Sequence, residues 1–189
     1  MVLPIVKYGM PVLRQKGARV ESVTPVIKKL IADMFETMHA HKGVGLAAQQ
    51  VGLPVQVMVI DVRDVTDRPS SLEVGGKPAK VEEYMPLVLI NPKVTAVGQP
   101  ATGPEGCLSF PEIYADITRP EVVDVKALDR EGNTLEFRCG GLLARAVQHE
   151  TDHLHGILFI DRMDKKTKED LRPELELLQA EAKALLKSG

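Results

Sequence analysis

The sequence predicts a single domain in which helices and strands are both present. Three observations carry this: an apolar stripe at helical spacing from Ile27 to Met38, a series of short β-branched runs with a hairpin signal at Asp129 to Asn133, and a second, largely apolar helix starting after Gly140 and Gly141. With 189 residues and 44% hydrophobic content, the chain is long enough to bury one sizeable core. Neither an internal repeat nor a second core is visible.

Taken in order, residues 1–20 hold Gly9, Pro11 and Gly17 among short apolar runs, the pattern of an irregular arm laid over a body. Thr24 is a helix cap with Pro25 at the first helical position. Leu30, Ile31, Met34, Phe35 and Met38 then form one stripe, ending before Gly43. His39 and His41 stand at the end of this helix, where placement near its C-terminus accounts for them without a metal. Val55 to Val62 is apolar on both faces and therefore a central strand. Arg63 to Met85, rich in Asp, Pro, Ser and Gly, reads as a long excursion.

Pro86 to Asn91 and Val94 to Val97 read as two further strands, Gly103 to Pro111 as a break, and Ile113 to Ile117 as a strand again. Val122 to Leu128 and Thr134 to Cys139 flank the hairpin turn. Leu135, Phe137 and Cys139 share a face there, which makes Cys139 a core residue. Leu142, Leu143, Ala146 and Val147 open the second helix, Gly156 can end it, and Ile157 to Ile160 reads as one more strand. Beyond Asp161 the composition becomes charged. Thr167 and Asp170 resemble a capping pair, Pro173 kinks or restarts a helix, and Leu171, Leu175, Leu178, Ala182 and Leu185 form its stripe.

A net charge of −2 and a pI near 6.2 provide no general attraction to nucleic acid or an acidic membrane, so neither DNA binding nor membrane attachment is expected. The distribution is uneven. Residues 1–30 carry six Lys or Arg against one acid, residues 161–189 carry seven of each, and the middle carries 11 bases and 18 acids. The N-terminal residues lack the charged start and long apolar run of a signal peptide, and no segment approaches the roughly 18 apolar residues of a membrane span. A cytoplasmic location is the expectation, with Cys107 and Cys139 as reduced thiols.

Chemistry concentrates at Gln148 to Gly156, where His149, Glu150 and His153 stand in the order H-E-x-x-H. Helix positions four apart lie one above the other, so both imidazoles can reach one metal ion. Glu150, offset by about 100°, can handle the proton of an activated water. A catalytic site of this kind needs a third protein ligand. The last His of the longer metzincin pattern would fall on Phe159, which excludes that reading. Glu174 sits in the polar tail beside Pro173, and His155 points away from His153. Cys107, in a turn-like stretch after Gly106, is the remaining candidate.

Three stretches then resemble one family. Gly43 to Gln50 is similar to G-x-G-L-A-A-x-Q, Glu105 to Ser109 reads E-G-C-L-S, and Gln148 to Gly156 is similar to Q-H-E-x-D-H-L-x-G; together, with Tyr8 to Arg14, they resemble peptide deformylase. The resemblance implies an α+β fold, antiparallel sheets around a central buried helix carrying the motif, plus a C-terminal helix. It implies a catalytic metallohydrolase domain over residues 1–165 with a helical tail over 166–189. The activity implied is removal of the N-formyl group from the N-terminal formyl-methionine of newly made proteins, with release of formate.

By the same resemblance, Cys107, His149 and His153 hold one divalent metal ion, Fe(II) by preference, with Zn, Ni or Co as substitutes. Glu150 carries the proton, while the Gln50 amide and the Leu108 backbone N–H meet the oxyanion. Val44 and Gly45 contact the substrate backbone. Leu142 and Ala146 line the methionine pocket, with the Arg145 stem as a wall and its charge in solvent. Nascent N-formylmethionyl peptides are the partners implied, and the C-terminal helix either docks on the ribosome or packs on its own domain. Two features depart from the family pattern: the length of the 63–85 excursion, and Tyr114 where many members carry Arg. A metalloendopeptidase and a non-catalytic metal-stabilised module are the competing classes.

Overall fold

The structure, a computed structural model, describes residues 1–189. Its layering follows from the strand β2 (Val57–Ile60), in which all four residues are buried. Met58 and Ile60 belong to one hydrophobic cluster, Val57 and Val59 to another. Successive side chains of a strand point to opposite faces, so a strand apolar at every position must lie between two covering layers. Strand β5 (Leu87–Ala96) repeats the arrangement, with Leu87 and Leu89 on the first face and Val88 and Ile90 on the second.

These strands belong to a seven-stranded antiparallel sheet completed by β1 (Gly45–Ala47), β3 (Ser70–Val74), β4 (Lys77–Pro78), β8 (Val122–Leu128) and β9 (Thr134–Gly140). The order is β1-β2-β5-β8-β9-β3-β4, which leaves β1 as an edge strand. Helix α1 (Pro25–Ala40) covers one face through Leu30, Ile31, Met34 and Met38. The Thr24 side chain accepts a hydrogen bond from the Ile27 N–H at 3.3 Å and Pro25 begins the helix, as the sequence indicates. Helix α2 (Gly141–Leu154) packs on the other face through Leu143, Val147 and Leu154.

A separate hairpin, β6 (Pro100–Cys107) and β7 (Phe110–Pro120), forms the third layer. Beneath it Leu13, Phe110, Ile117, Phe159 and Leu175 make a third cluster. The tail closes that cluster. Its short helix α3 (Lys165–Asp170) is followed by α4 (Arg172–Ser188), which buries Leu175 and Ala182. No helix is long and apolar enough to cross a membrane.

Several local expectations are corrected. Ile157 to Ile160 is not a strand; Leu158, Phe159 and Ile160 are buried in a 3-10 turn spanning Phe159–Arg162. A short apolar run specifies burial without specifying backbone. The 63–85 excursion contains β3 and β4, and β3 pairs with β9 through Leu72 opposite Cys139. Only Leu72 in β3 is buried, too little alternation to announce a strand. The two runs 86–91 and 94–97 are one strand, interrupted by a register shift between Ile90 and Lys93. Asp164, not Thr167, caps α3, accepting from the Thr167 N–H at 2.7 Å, and Pro173 restarts the chain as α4. Cys139 is a core residue, 1% exposed, and burial pushes its thiol up to about 12.

Candidate active site

The site is built where α2 meets β6. Strand β9 turns directly into α2, and Gly141 at the turn has φ of 67°, a conformation that L side chains rarely adopt. A Cβ there would also collide with the Pro69 carbonyl. The Leu142 N–H donates to that same carbonyl at 3.0 Å, which seats the first turn of the helix against the strand lead-in.

One turn apart on α2, the His149 and His153 rings lie 5.2 Å apart between centroids. Cys107 comes from the end of β6, its Sγ 3.4 Å from His153 Nε2. The ligand atoms of Cys107, His149 and His153 all lie within 4.8 Å of one another. Strand periodicity explains a second contact. Residues two apart on a strand share a face, so Glu105 points inward with Cys107, and its Oε1 lies 2.9 Å from His149 Nδ1. That contact turns the other ring nitrogen of His149 toward the thiol.

Glu105 is in turn held by cations. Arg119 donates to both its oxygens at 2.6 and 3.0 Å, and Arg145 donates to Oε2 at 2.8 Å. Burial works to raise the Glu105 carboxyl, but the hydrogen bonds with His149 and Arg119 outweigh it and hold the group far below the usual carboxylate range. Arg119, itself 3% exposed, reaches Asp152 on α2 at 2.9 Å, and Arg162 grips the same carboxylate at 2.7 and 2.9 Å. Arg145 therefore does not send its charge to solvent, as the sequence suggests. Its guanidinium turns inward to Glu105 and to the carbonyls of Ile117 and Ala101.

Glu150 faces the other way. Its side chain lies against Gly45, where a Cβ would stand 2.7 Å from Oε2, so only glycine lets β1 approach this closely. Oε1 is buried without a partner, and burial raises the carboxyl to about 7. Gln50 is oriented by its own contacts. Its Oε1 accepts from the Ala47 N–H at 3.0 Å, which directs Nε2 toward Ser109 Oγ at 3.2 Å and Cys107 Sγ at 3.4 Å. A cavity of about 480 Å³ opens over these groups, and Val44, Gly45, Gln50, Leu108, Leu142 and Ala146 line it with Cys107, His149 and Glu150. His155 and Glu174 are exposed and take no part.

The residues fit a divalent ion. One thiolate and two imidazoles converge, a donor set suited to several first-row metals, and Glu150 Oε1 beside them is a buried polar atom without a protein partner. Known proteins bear directly on this arrangement. The polypeptide deformylase family matches residues 2–169 of the chain. The chain belongs to that family. A peptide deformylase of Methylacidiphilum infernorum is 49% identical over 179 residues, covering 95% of this chain and 94% of the relative. One from Opitutus terrae is 40% identical over 189 residues, covering 99% and 98%. Among solved structures, a plant peptide deformylase superposes with a TM-score of 0.79 at 38% identity, covering 93% of this chain and 88% of that one. The Ehrlichia chaffeensis peptide deformylase in complex with actinonin gives 0.79 at 34% identity, covering 95% and 97%.

As a deformylase family member, and hence a hydrolase, the chain carries more polar structure than its motifs announce. The motifs contain Glu105, Ser109 and Asp152 without showing what they contact, and contain neither Arg119 nor Arg162. Period-two spacing from Cys107 points to Glu105, and the i+3 spacing from His149 points to Asp152. Nothing local marks Arg119 or Arg162, because their partners are supplied by distant segments.

Proposed function

We propose that this family member is a metal-dependent hydrolase that removes the N-formyl group from the N-terminal formyl-methionine of new polypeptides, releasing formate. The observation that carries this is the convergence of Cys107, His149 and His153 within 4.8 Å, with Cys107, His149 and the unpartnered Glu150 Oε1 on the lining of one cavity. Cys107, His149 and His153 would hold the ion, Fe(II) by preference with Zn, Ni or Co as substitutes. Such an ion, when bound, supplies Lewis-acid polarisation of the formyl carbonyl and acidifies water.

The chain's own groups do the rest. Glu150, whose Oε1 is buried without a protein partner, accepts the proton of the attacking water and returns it to the departing nitrogen. Gln50 Nε2, fixed by the Ala47 contact, and the Leu108 N–H meet the charge that develops on the formyl oxygen. The free edge of β1 at Gly45 offers backbone groups to an extended peptide, with Val44, whose carbonyl accepts from the Asp61 N–H at 2.8 Å, lining the cavity beside it. Leu142 and Ala146 offer an apolar wall for the methionine side chain. The exposed Leu177, Leu185 and Leu186 of α4 support docking at the ribosome, in the cytoplasm, as the setting of the reaction.

The test is formate release from a short formyl-Met peptide by metal-reconstituted protein, with new internal peptide termini assayed alongside. Glu150→Gln is expected to retain the metal and lose at least about 10²-fold in kcat. Retention of more than about a tenth of wild-type kcat would remove Glu150 from the proton-carrying role. Internal cleavage without formate would favour an endopeptidase.

A further inference from the structure

The mouth of the cavity carries more positive charge than the composition of the chain suggests. Lys7, Lys42 and Arg68 line it, beside His41, and none of the three full cations is engaged in an ion pair. The carboxylates on the same lining are Glu105, Glu112 and Glu150. Glu105 is neutralised by Arg119 and Arg145, and Glu150 faces the reacting groups, so Glu112 alone opposes the three cations. The chain is net negative, at −2. Local excess of the opposite sign at a cleft is a field built by placement, not by composition.

The three cations are also fixed by their backbones. The N-terminal arm is pinned by the Val6 N–H to the Gln50 carbonyl at 2.8 Å and the Tyr8 N–H to the Ser109 carbonyl at 2.9 Å. In this extended segment Val6 and Tyr8 pack on the third cluster, so the alternate residues Ile5 and Lys7 face the cavity. Lys42 follows the His41 cap of α1 with φ of 55°, its N–H donating to the His39 carbonyl at 3.1 Å. Arg68 precedes Pro69, whose carbonyl accepts from the Leu142 N–H at 3.0 Å. Tyr114, 72% exposed on the same lining, holds the place where the family pattern often has Arg, so the charge at this mouth comes from other elements.

We propose that this charged mouth selects formyl peptides bearing an acidic side chain within the first few residues after methionine, and disfavours those bearing Lys or Arg there. The inference rests on the deformylase reading. With the formyl group at Cys107, His149 and Glu150 and the methionine side chain against Leu142 and Ala146, the following residues leave past Lys7, Lys42 and Arg68. An Asp or Glu there gains attraction from several fixed cations, and a Lys meets repulsion.

The experiment compares formyl-Met-Asp-Ala, formyl-Met-Asn-Ala and formyl-Met-Lys-Ala, all C-terminally amidated, with the same three side chains also moved one position on. Metal-reconstituted full-length protein is used, and formate is measured. The expected order of kcat/KM is Asp above Asn above Lys, with Asp over Asn by about three- to tenfold at low salt. That ratio should fall toward one as ionic strength shortens the screening length from about 30 Å at 0.01 M to about 8 Å at 0.15 M. The triple variant Lys7→Gln, Lys42→Gln, Arg68→Gln should bring the ratio close to one even at low salt. Formate release with an Asp-to-Asn ratio at or below one, or a ratio indifferent to salt, overturns the charge-selection proposal while leaving the deformylase reading intact. Formate from none of the peptides overturns both.

Discussion

Helices α2 and α4 have similar apolar stripes and similar lengths, yet α2 buries 11 of its 14 residues and α4 only two of 17. The difference lies in the polar residues. On α2 His149, Glu150, Thr151, Asp152 and His153 are all buried, whereas α4 leaves its Glu and Lys residues in water. A helix that only contributes stability buries its stripe and solvates the rest. One that buries a run of five polar residues must supply partners from elsewhere, because each unpaired group costs about 1–3 kcal/mol. Cys107, Glu105, Arg119 and Arg162 supply several of them, and of the atoms left without a partner Glu150 Oε1 belongs to a residue that lines the cavity.

The largest effect that separates the two helices should come from their arginine partners. Arg119→Met leaves the carboxylates of Glu105 and Asp152 short of a buried cation, and a loss of about 3–5 kcal/mol in unfolding free energy is expected. Arg172→Met removes exposed pairs with Glu169 and Glu176 on α4, where solvent screens the charges, and should leave the unfolding free energy nearly unchanged. Denaturant unfolding of both variants checks the contrast, and equal losses would mean that burial of the ion pairs on α2 has no special weight.

Next in size is Gln50, whose two ends do different work. Gln50→Glu keeps an oxygen for the Ala47 N–H but loses the donor, so kcat should fall about 10²- to 10³-fold, about 2.7–4 kcal/mol, and a carboxylate at this buried position should also lower Tm. Gln50→Leu also orphans the Ala47 N–H and should add a stability loss of about 1–3 kcal/mol. A Gln50→Glu variant with near-normal kcat would leave Gln50 as a purely structural residue.

How much of this was legible in the sequence depended on whether the signal was local. The capped start of α1, the two-faced strand β2, the hairpin of β8 and β9, and the core position of Cys139 each rest on a pattern within about ten residues of chain. The triad was legible because His149 and His153 share a helix face and Cys107 lies in a recognisable stretch. What could not be read was pairing between distant segments. Strand β6 hides behind Gly103, Pro104 and Gly106, and its inward face is evident only once β7 is laid beside it. Arg145 illustrates the same limit: at a helix surface an arginine is expected in water, and only the placement of Glu105 turns it inward.

On α4 itself the buried stripe gives a smaller, graded effect. Leu175, 6% exposed, packs with Leu13, Phe110 and Phe159, and Leu175→Ala should cost about 2–3 kcal/mol. Leu186, 50% exposed, should tolerate Ala within about 0.5 kcal/mol. Since α4 covers this cluster, removing residues 168–189 is expected to lower Tm. Unchanged Tm in both Leu175→Ala and the truncation would show that the tail is not part of the folded unit.

A smaller effect than that of Leu175 lies in the stretch after α2, where Arg14 grips Asp161 at 2.6 and 3.1 Å and also donates to the Gly156 carbonyl at 3.2 Å. Burial works to raise the Asp161 carboxyl, but the Arg14 hydrogen bond and the Leu158 N–H outweigh it and hold the group below its ordinary value. A carboxyl depressed in the folded state stabilises at pH above its unfolded value, near 4, and loses that contribution as pH falls through the folded value. Because the pair is partly exposed, Arg14→Gln should cost only about 0.5–1 kcal/mol at pH 7. The loss should shrink as the pH is lowered below about 4, where Asp161 in the unfolded chain already carries its proton. Unfolding curves of the wild type and Arg14→Gln at pH 7 and across the acid range measure this difference. A penalty that stays the same across the acid range would show that the contact with the Gly156 carbonyl, which does not titrate, and not the ion pair, is what Arg14 contributes.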